Sequence, residues 1–227
     1  MLVNSYRNGG MGMLKTCVVA FAFLVAHSAG ALAVGMDGQA DRGVYFSIFG
    51  GPSFAQDVKG YETPTNLGYT ARMKTPGYLV GGAIGIRLSD NIRTEAEIAY
   101  RRYSVDEVEF NGRAPNKING YADAISFIGN AWYDIPLDSR LTPYAGGGLG
   151  FGYATYSNRG SGYKDSDTGF MFQLGTGIKW AMTEKMSLDI GYRFRGLLNL
   201  KFHDNGLTDK RNDYYGHNVI VGITFGF

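Results

Sequence analysis

The last eleven residues, HNVIVGITFGF, place an apolar or aromatic side chain at every second position. These are Val219, Val221, Ile223, Phe225 and Phe227, with Asn218, Ile220, Gly222, Thr224 and Gly226 between them. A period of two is the mark of a strand with two unlike faces. At the end of a soluble chain such a strand would invite edge-to-edge association. The ending makes sense if both edges are paired and the apolar face meets lipid. The same period recurs along the chain and predicts strands at roughly 43–54, 75–88, 92–105, 120–135, 141–156, 168–181, 187–202 and 214–227. Glycine every few residues argues against helices.

The connections alternate in length. Long polar segments cover 55–74, 106–119, 157–167 and 203–213, and between them sit the short turns SDN (89–91), PLDS (136–139) and TEKM (183–186). Short turns at one rim and long loops at the other give an all-β, eight-stranded, antiparallel up-and-down transmembrane β-barrel. Each strand exceeds the 9–11 tilted residues, about one bilayer, that a crossing strand needs. An even strand number puts both termini on the short-turn side.

A soluble lipocalin-like barrel would hold its apolar residues inside and its charges outside, so the faces must be told apart. The third strand carries Ile92, Thr94, Ala96, Ile98 and Tyr100 on one face and Arg93, Glu95, Glu97, Ala99 and Arg101 on the other. In the seventh, Leu188, Ile190, Tyr192 and Phe194 oppose Asp189, Gly191, Arg193 and Arg195. In the sixth, Phe170 to Trp180 oppose Met171, Gln173, Gly175, Gly177 and Lys179. The fifth puts Gly146, Gly148, Gly150 and Gly152 on one face. Four glycines in register suit a narrow interior that must admit long charged side chains. The charged and glycine face is therefore assigned to the lumen. The fourth strand is not assigned, because Ile128 and Trp132 share a parity with Ser126 and Asn130.

An eight-stranded interior is only wide enough for side chains to fill it. Charges inside must pair, because an unpaired buried charge is costly. Arg93, Glu95, Glu97, Arg101, Lys179, Asp189, Arg193 and Arg195 are expected to form a network that plugs the lumen, with Glu97 facing Arg193 or Arg195. The alternative is a gate that opens to ions.

The N-terminus is read apart from the fold. Residues 1–15 carry Arg7 and Lys15 and no acid; an apolar core runs from Val18 to Ala26, and Ala31-Leu32-Ala33 follows. This is the layout of a secretory signal, residues 1–33, cleaved before Val34, with residues 34–227 as the barrel domain. The apolar run is about half the length of a spanning helix. Translation could start at Met1, Met11 or Met13. Cys17, the single cysteine, precedes the apolar core, where lipid attachment is not expected. The chain of 227 residues has 22 basic and 20 acidic side chains. The signal takes two of the bases with it, so the mature chain is balanced and gives no electrostatic case for nucleic acid.

Candidate chemistry is sparse. The mature chain has His203, in HDNG, and His217, on the lipid-facing parity of the last strand. A lipid A-modifying enzyme would need a base beside a nucleophile, and no serine accompanies His217, which suits a rim residue at the headgroup level. His203 beside Asp204 is a weak metal signal. GGGLG lacks the Gly-Lys-Ser/Thr of a phosphate loop. No metal, cofactor or catalytic residue is expected.

The blocks GNAWYDIPLDSRLTPYAGGGLGFGY, LDIGYRFR and HNVIVGITFGF resemble the small outer-membrane β-barrel family of Gram-negative bacteria, the porin-like and surface-antigen barrels related to the barrel domain of outer membrane protein A. Asn130, Tyr133-Asp134, Pro143-Tyr144 and the glycines from Gly146 to Gly152 carry the strongest match, and the likeness covers residues 43–227. The chain stops at Phe227, so it departs from larger relatives that carry a periplasmic peptidoglycan-binding domain. The resemblance implies that Val221, Ile223, Phe225 and Phe227 form the signal read by the barrel-assembly machinery. It also implies an integral outer-membrane monomer among outer-membrane lipid and lipopolysaccharide. The expected role is structural and surface-interacting, with loops presented to host, phage or lipopolysaccharide. A narrow porin-like channel is the alternative, and a lipid A enzyme the third reading.

Overall fold

The computed structural model describes residues 43–63, 67–110, 114, 116–137, 139–200, 203–204, 207–209 and 212–227. The signal segment, with Ala31, Ala33 and Val34, lies outside the described residues, as do the side chains of His203 and Asp204. Eight long strands follow one another: β1 (Val44–Ala55), β2 (Leu67–Arg87), β3 (Ile92–Phe110), β4 (Asn116–Asp134), β5 (Leu141–Asn158), β6 (Tyr163–Ala181), β7 (Met186–Leu200) and β8 (Asn212–Gly226). Each pairs antiparallel with the next, and β8 pairs with β1, so the sheet closes. Closure satisfies every strand edge, which is the condition for crossing a bilayer without helices.

The start of β1 and the end of β8 meet at the short-turn rim. Tyr45 lies opposite Gly226, and the Phe227 N–H donates to the Val44 carbonyl at 3.0 Å. The turns there are held by backbone bonds such as Leu88 N–H to Ile92 O, 2.8 Å, and Met182 N–H to Met186 O, 3.0 Å. Asn91 Nδ2 donates to the Asp134 carbonyl at 3.1 Å and ties the first turn to the second.

The outward face is apolar around the whole barrel. Ile84, Leu149, Leu174, Ile190 and Val221 are each half or more exposed, a burial no water-soluble surface would leave in so continuous a band. Aromatic residues edge the band: Tyr133, Trp180, Phe225 and Phe227 near the turns, and Tyr78, Phe54 and Tyr192 toward the other end.

The long polar connections differ from the sequence expectation. Much of 67–74, 106–110, 116–119 and 163–167 is strand, and the connection between β5 and β6 is a turn at residues 159–162. A short strand, Val58–Thr63, pairs with β2, and Leu207–Asp209 pairs with it in turn and with His203–Asp204. Above the lipid the outward face turns polar while inward residues such as Met73 and Val105 stay apolar, so the pattern of apolar-out alternation ends while pairing continues. Cross-strand ion pairs replace it: Arg72 lies 3.0 Å from Glu109 and Lys74 lies 3.4 Å from Asp106. The barrel wall thus rises beyond the membrane as extended hairpins, and the third long loop is a tight turn.

Candidate functional site: a lumen filled in layers

Inward parity places Arg93, Glu95, Glu97 and Arg101 of β3, Lys179 of β6, and Asp189, Arg193 and Arg195 of β7 inside the barrel. All are buried apart from the partly buried backbone of Glu95, whose side chain is also covered. β4 resolves in the same way: Ser126, Ile128, Asn130, Trp132 and Asp134 all point inward. The interior is layered from the turn rim upward.

The lowest layer is built on Arg93. Its Nε donates to both Asp134 oxygens, at 2.9 and 3.1 Å. Its Nη1 donates to Glu95 and, at 3.3 Å, to the Tyr45 hydroxyl. Tyr45 and the Trp132 Nε1–H each donate to Glu95 at 2.8 Å. Arg87 reaches the outer side of Asp134 at 3.8 Å. Lys179 Nζ sits 4.9 Å from the Tyr45 ring centre, and Asp189 lies opposite Lys179 in the β6–β7 register. Tyr144 donates to Asp189 at 2.7 Å and accepts from Arg193 Nη2 at 2.9 Å. The Arg193 guanidinium lies 4.3 Å from the Trp132 ring centre, and Arg93 lies 4.8 Å from that of Tyr144. Stacking of this kind suits the weakly hydrated guanidinium.

The glycine ladder makes room for these rings. Trp132 lies opposite Gly146 in the register. A Cβ on Gly177 would stand 2.5 Å from the Tyr144 hydroxyl, and one on Gly175 would stand 2.6 Å from Arg193 Cδ. Glycine is required here by close approach rather than by backbone angle.

The middle layer centres on Glu97. Its Oε2 accepts from Asn130 Nδ2 and Gln173 Nε2, both at 3.1 Å. Its Oε1 faces Arg195 Nη2 at 2.8 Å. That contact is an ion pair too bent to count as a hydrogen bond. Gln173 also donates to Asn130 Oδ1 at 2.5 Å. Of the two arginines considered from sequence, Arg195 is the one that faces Glu97. Arg101 is not joined to a carboxylate among the described residues; its guanidinium lies 5.6 Å from the Tyr103 ring centre. Beside it Ser53 donates to Asn218 Oδ1 at 2.5 Å and bonds the Tyr103 hydroxyl.

The top layer is apolar. Ile128, Ala154, Met171, Leu197 and Leu200 form one buried cluster. Val58, Met73, Tyr103, Val105 and Ala122 form another, and Tyr156 and Tyr214 pack against both. The sequence reading put Met171 and Gln173 on the lumen-facing side of the sixth strand, but it did not foresee an apolar layer, and it did not assign Tyr45, Asn130, Trp132, Asp134 or Tyr144 to the lumen. A usable signal existed for β4. Ser126, Asn130 and Asp134 share a parity, and Trp132 on that parity meets glycine across the strand pair, as an inward-pointing indole must.

On the outer wall, His217 accepts or donates at Nδ1 with the Tyr192 hydroxyl, 2.6 Å away, and its ring packs 5.2 Å from that of Phe194. Gln56 is its other polar neighbour, at 3.5 Å. Phe225 and Phe227 point outward at the turn rim with Val221, while Ile223 on the same face is half-buried. Among the described residues no helix is long and apolar enough to cross a membrane, and no His, Cys, Asp and Glu cluster could hold a metal.

A family model for the outer membrane protein beta-barrel domain matches residues 19–227. The chain belongs to that family. Its localisation follows: it is an integral outer-membrane barrel. An uncharacterised protein of Brucella suis is 26% identical over 149 residues, 52% of this chain and 51% of that one. The chain thus spans about half the length of the first curated relatives it matches. Outer membrane protein PagN of Salmonella typhimurium is 23% identical over 202 residues, 77% of this chain and 82% of PagN. Among solved structures, Neisserial surface protein A has the same fold, with a TM-score of 0.52 at 21% identity, covering 81% of this chain and 97% of the other.

Proposed function

We propose that this protein is a monomeric, sealed outer-membrane barrel that supports the envelope and offers its raised hairpins as a surface for contact with host, phage or lipopolysaccharide. The filled lumen carries this reading. Among the described residues, one space lies beside Glu95, Glu97, Asp189 and Arg193 and another beside Arg101, Tyr156, Leu197 and Tyr214. Each has room for about one water molecule. Solute passage through such an interior would need both the charged and the apolar layers to part, and the hydroxyl beside His217 is the Tyr192 phenol on the outer wall rather than a serine.

Reconstitution into planar bilayers tests the reading directly. The expected result is no sustained conductance, together with retention of purified protein on host matrix or lipopolysaccharide surfaces. Stable single-channel steps would reverse the order of the two functions. Export is part of the same proposal, with cleavage between Ala33 and Val34 and recognition of the Val221, Ile223, Phe225, Phe227 ending by the assembly machinery. Deleting Phe227 removes one exposed rim aromatic, so refolding in detergent should proceed as for the full chain. In cells, the folded, heat-modifiable form should fall severalfold; equal yields there would remove the recognition role.

A further inference from the structure

The cations of the lumen are not all matched. Arg93 has Glu95 and Asp134, and Arg195 has Glu97. Lys179 lies opposite Asp189, and Arg193 bonds the Tyr144 hydroxyl and lies against Trp132. Arg101 differs. It is 6% exposed, yet it makes no hydrogen bond and no ion pair among the described residues; its guanidinium lies 5.6 Å from the Tyr103 ring centre. An arginine does not escape burial by giving up its proton, and a buried charge without a counter-charge is strongly destabilising.

The carboxylates around Arg101 are already committed. Glu97, in the layer beneath, gives one oxygen to Asn130 and Gln173 and turns the other to Arg195. Arg101 and Arg195 are close enough to interact electrostatically. Gly216 lies opposite Arg195, and a Cβ on it would stand 3.0 Å from Arg101 Nη1. Glu97 therefore stands against two guanidinium groups. Asp165 and Asp167 keep the inward parity of β6 toward the hairpins; both are half-buried and make contacts of their own. Ala124 and Ala154 separate Asp167 from Arg101 in the register, so the two stand three strands, about 14 Å, apart along the wall. Neither aspartate comes within ion-pair distance of Arg101. The mismatch is one of place, not of net charge.

Arg101 lines a space bounded also by Tyr103, Ala154, Tyr156, Leu197 and Tyr214. It has room for about one water molecule. Water would solvate the guanidinium but bring no charge. Phosphate, sulfate and organic carboxylates have several heavy atoms too many. A monatomic anion meets both conditions. We infer that a single chloride ion is bound beside Arg101, where the charged layers meet the apolar one. It supplies the counter-charge that Glu97 cannot share, and the apolar layer above covers it. The barrel thus holds a structural anion, taken up as it folds.

The test uses the full barrel refolded in phosphatidylcholine vesicles, in chloride–gluconate mixtures of constant ionic strength, since gluconate is too large for the space. An ion that binds only the folded form stabilises it by mass action, so each ten-fold rise in chloride should lower the unfolded-to-folded ratio about ten-fold once the site is filled. Arg101→Met needs no counter-ion, and its urea midpoint should not move with chloride. Arg72→Gln plus Lys74→Gln, which removes exposed cations of the outer wall, should keep the wild-type response. Bromide in place of chloride gives a readout that needs no substitution and serves if Arg101→Met does not fold. Crystals of the wild-type barrel grown in bromide should show an anomalous peak within hydrogen-bond distance of the Arg101 guanidinium. A wild-type unfolding ratio unmoved by chloride, or a full chloride response in Arg101→Met, would overturn the site. Bromide confined to outer-wall cations such as Arg102 and Arg159 would do the same, as an adventitious ion only, and so would water alone beside Arg101. The bilayer recordings do not bear on these outcomes, so the anion site and the sealed barrel can fail separately.

Discussion

The two ends of the lumen are closed by opposite chemistry. Near the turns the filling is charged: Arg93, Glu95, Asp134, Asp189 and Arg193 are tied together by Tyr45, Trp132 and Tyr144. Toward the hairpins it is apolar, with Leu197, Leu200, Met171, Ile128 and Val105 fully buried. Both exclude water, but they fail differently. A charged layer depends on every partner being present, since removing one ion leaves another uncompensated. An apolar layer depends on volume, and a truncation leaves a cavity whose cost follows how far its surroundings collapse. The charged layer sits within the lipid-crossing part of the barrel, inside a wall that an apolar interior could also have filled. It therefore sets which residues meet as well as keeping water out.

The strongest way to break the comparison is at Arg93, which is 1% exposed and joins Asp134 to Glu95. Arg93→Met keeps most of the volume and strands two carboxylates. The expected loss is about 3–5 kcal/mol, read by urea unfolding in phosphatidylcholine vesicles. A loss below about 1 kcal/mol, typical of exposed pairs, would mean that water already reaches this layer.

The matching cut in the apolar layer is Leu197→Ala. Leu197 is 1% exposed and packs against Gly152 and Gly169, which have no side chain to move into the gap. The expected cost is about 2–5 kcal/mol. The two layers separate in what rescues them rather than in size. Adding Glu95→Gln and Asp134→Asn to the Arg93 variant should recover part of its loss, because neutral amides no longer need a cation, whereas Leu197→Ala should cost the same with or without those two changes. An equal loss for Arg93→Met with and without the two amide changes would undo the distinction.

This contrast also explains what could be read in the sequence. The barrel, its strand number and the lipid face follow from alternation wherever one face meets lipid and the other a polar interior, as in Ile92–Arg101 and Leu188–Arg195. Two features hide from that test. Where an inward side chain is apolar or aromatic the two faces look alike, and β4 lost its assignment at Ile128, which lies in the apolar layer, and at Trp132, an indole set among charges. Where the wall stands above the lipid, the outward face is polar, so the upper parts of β2, β3 and β6 read as loop although they pair residue by residue. Apart from Asp134, the charged members of the lumen were legible one by one, and Glu97 was set against Arg193 or Arg195, but the uncharged partners were not legible. Tyr45, Tyr144 and Trp132 look like membrane-facing aromatics until the register sets them against glycine and arginine.

The smallest effect on stability belongs to Glu97→Gln, and it is the sharpest test of how the two seals combine. Glu97 lies between the layers, 4% exposed, receiving Asn130 and Gln173 and facing Arg195. A glutamine keeps the shape and can still turn its oxygen to Arg195. Its NH₂ then meets the donors of Asn130 and Gln173, so at least one amide must turn. The expected cost is about 1–3 kcal/mol. Current through the barrel should stay closed, because the apolar layer above is intact and the two seals act in series. Combined with Leu197→Ala, the same change should admit brief openings in planar bilayers that neither single variant shows. Sustained current from Glu97→Gln alone would mean that the charged layer is the whole barrier, and it would move the ion-channel reading ahead of the sealed barrel.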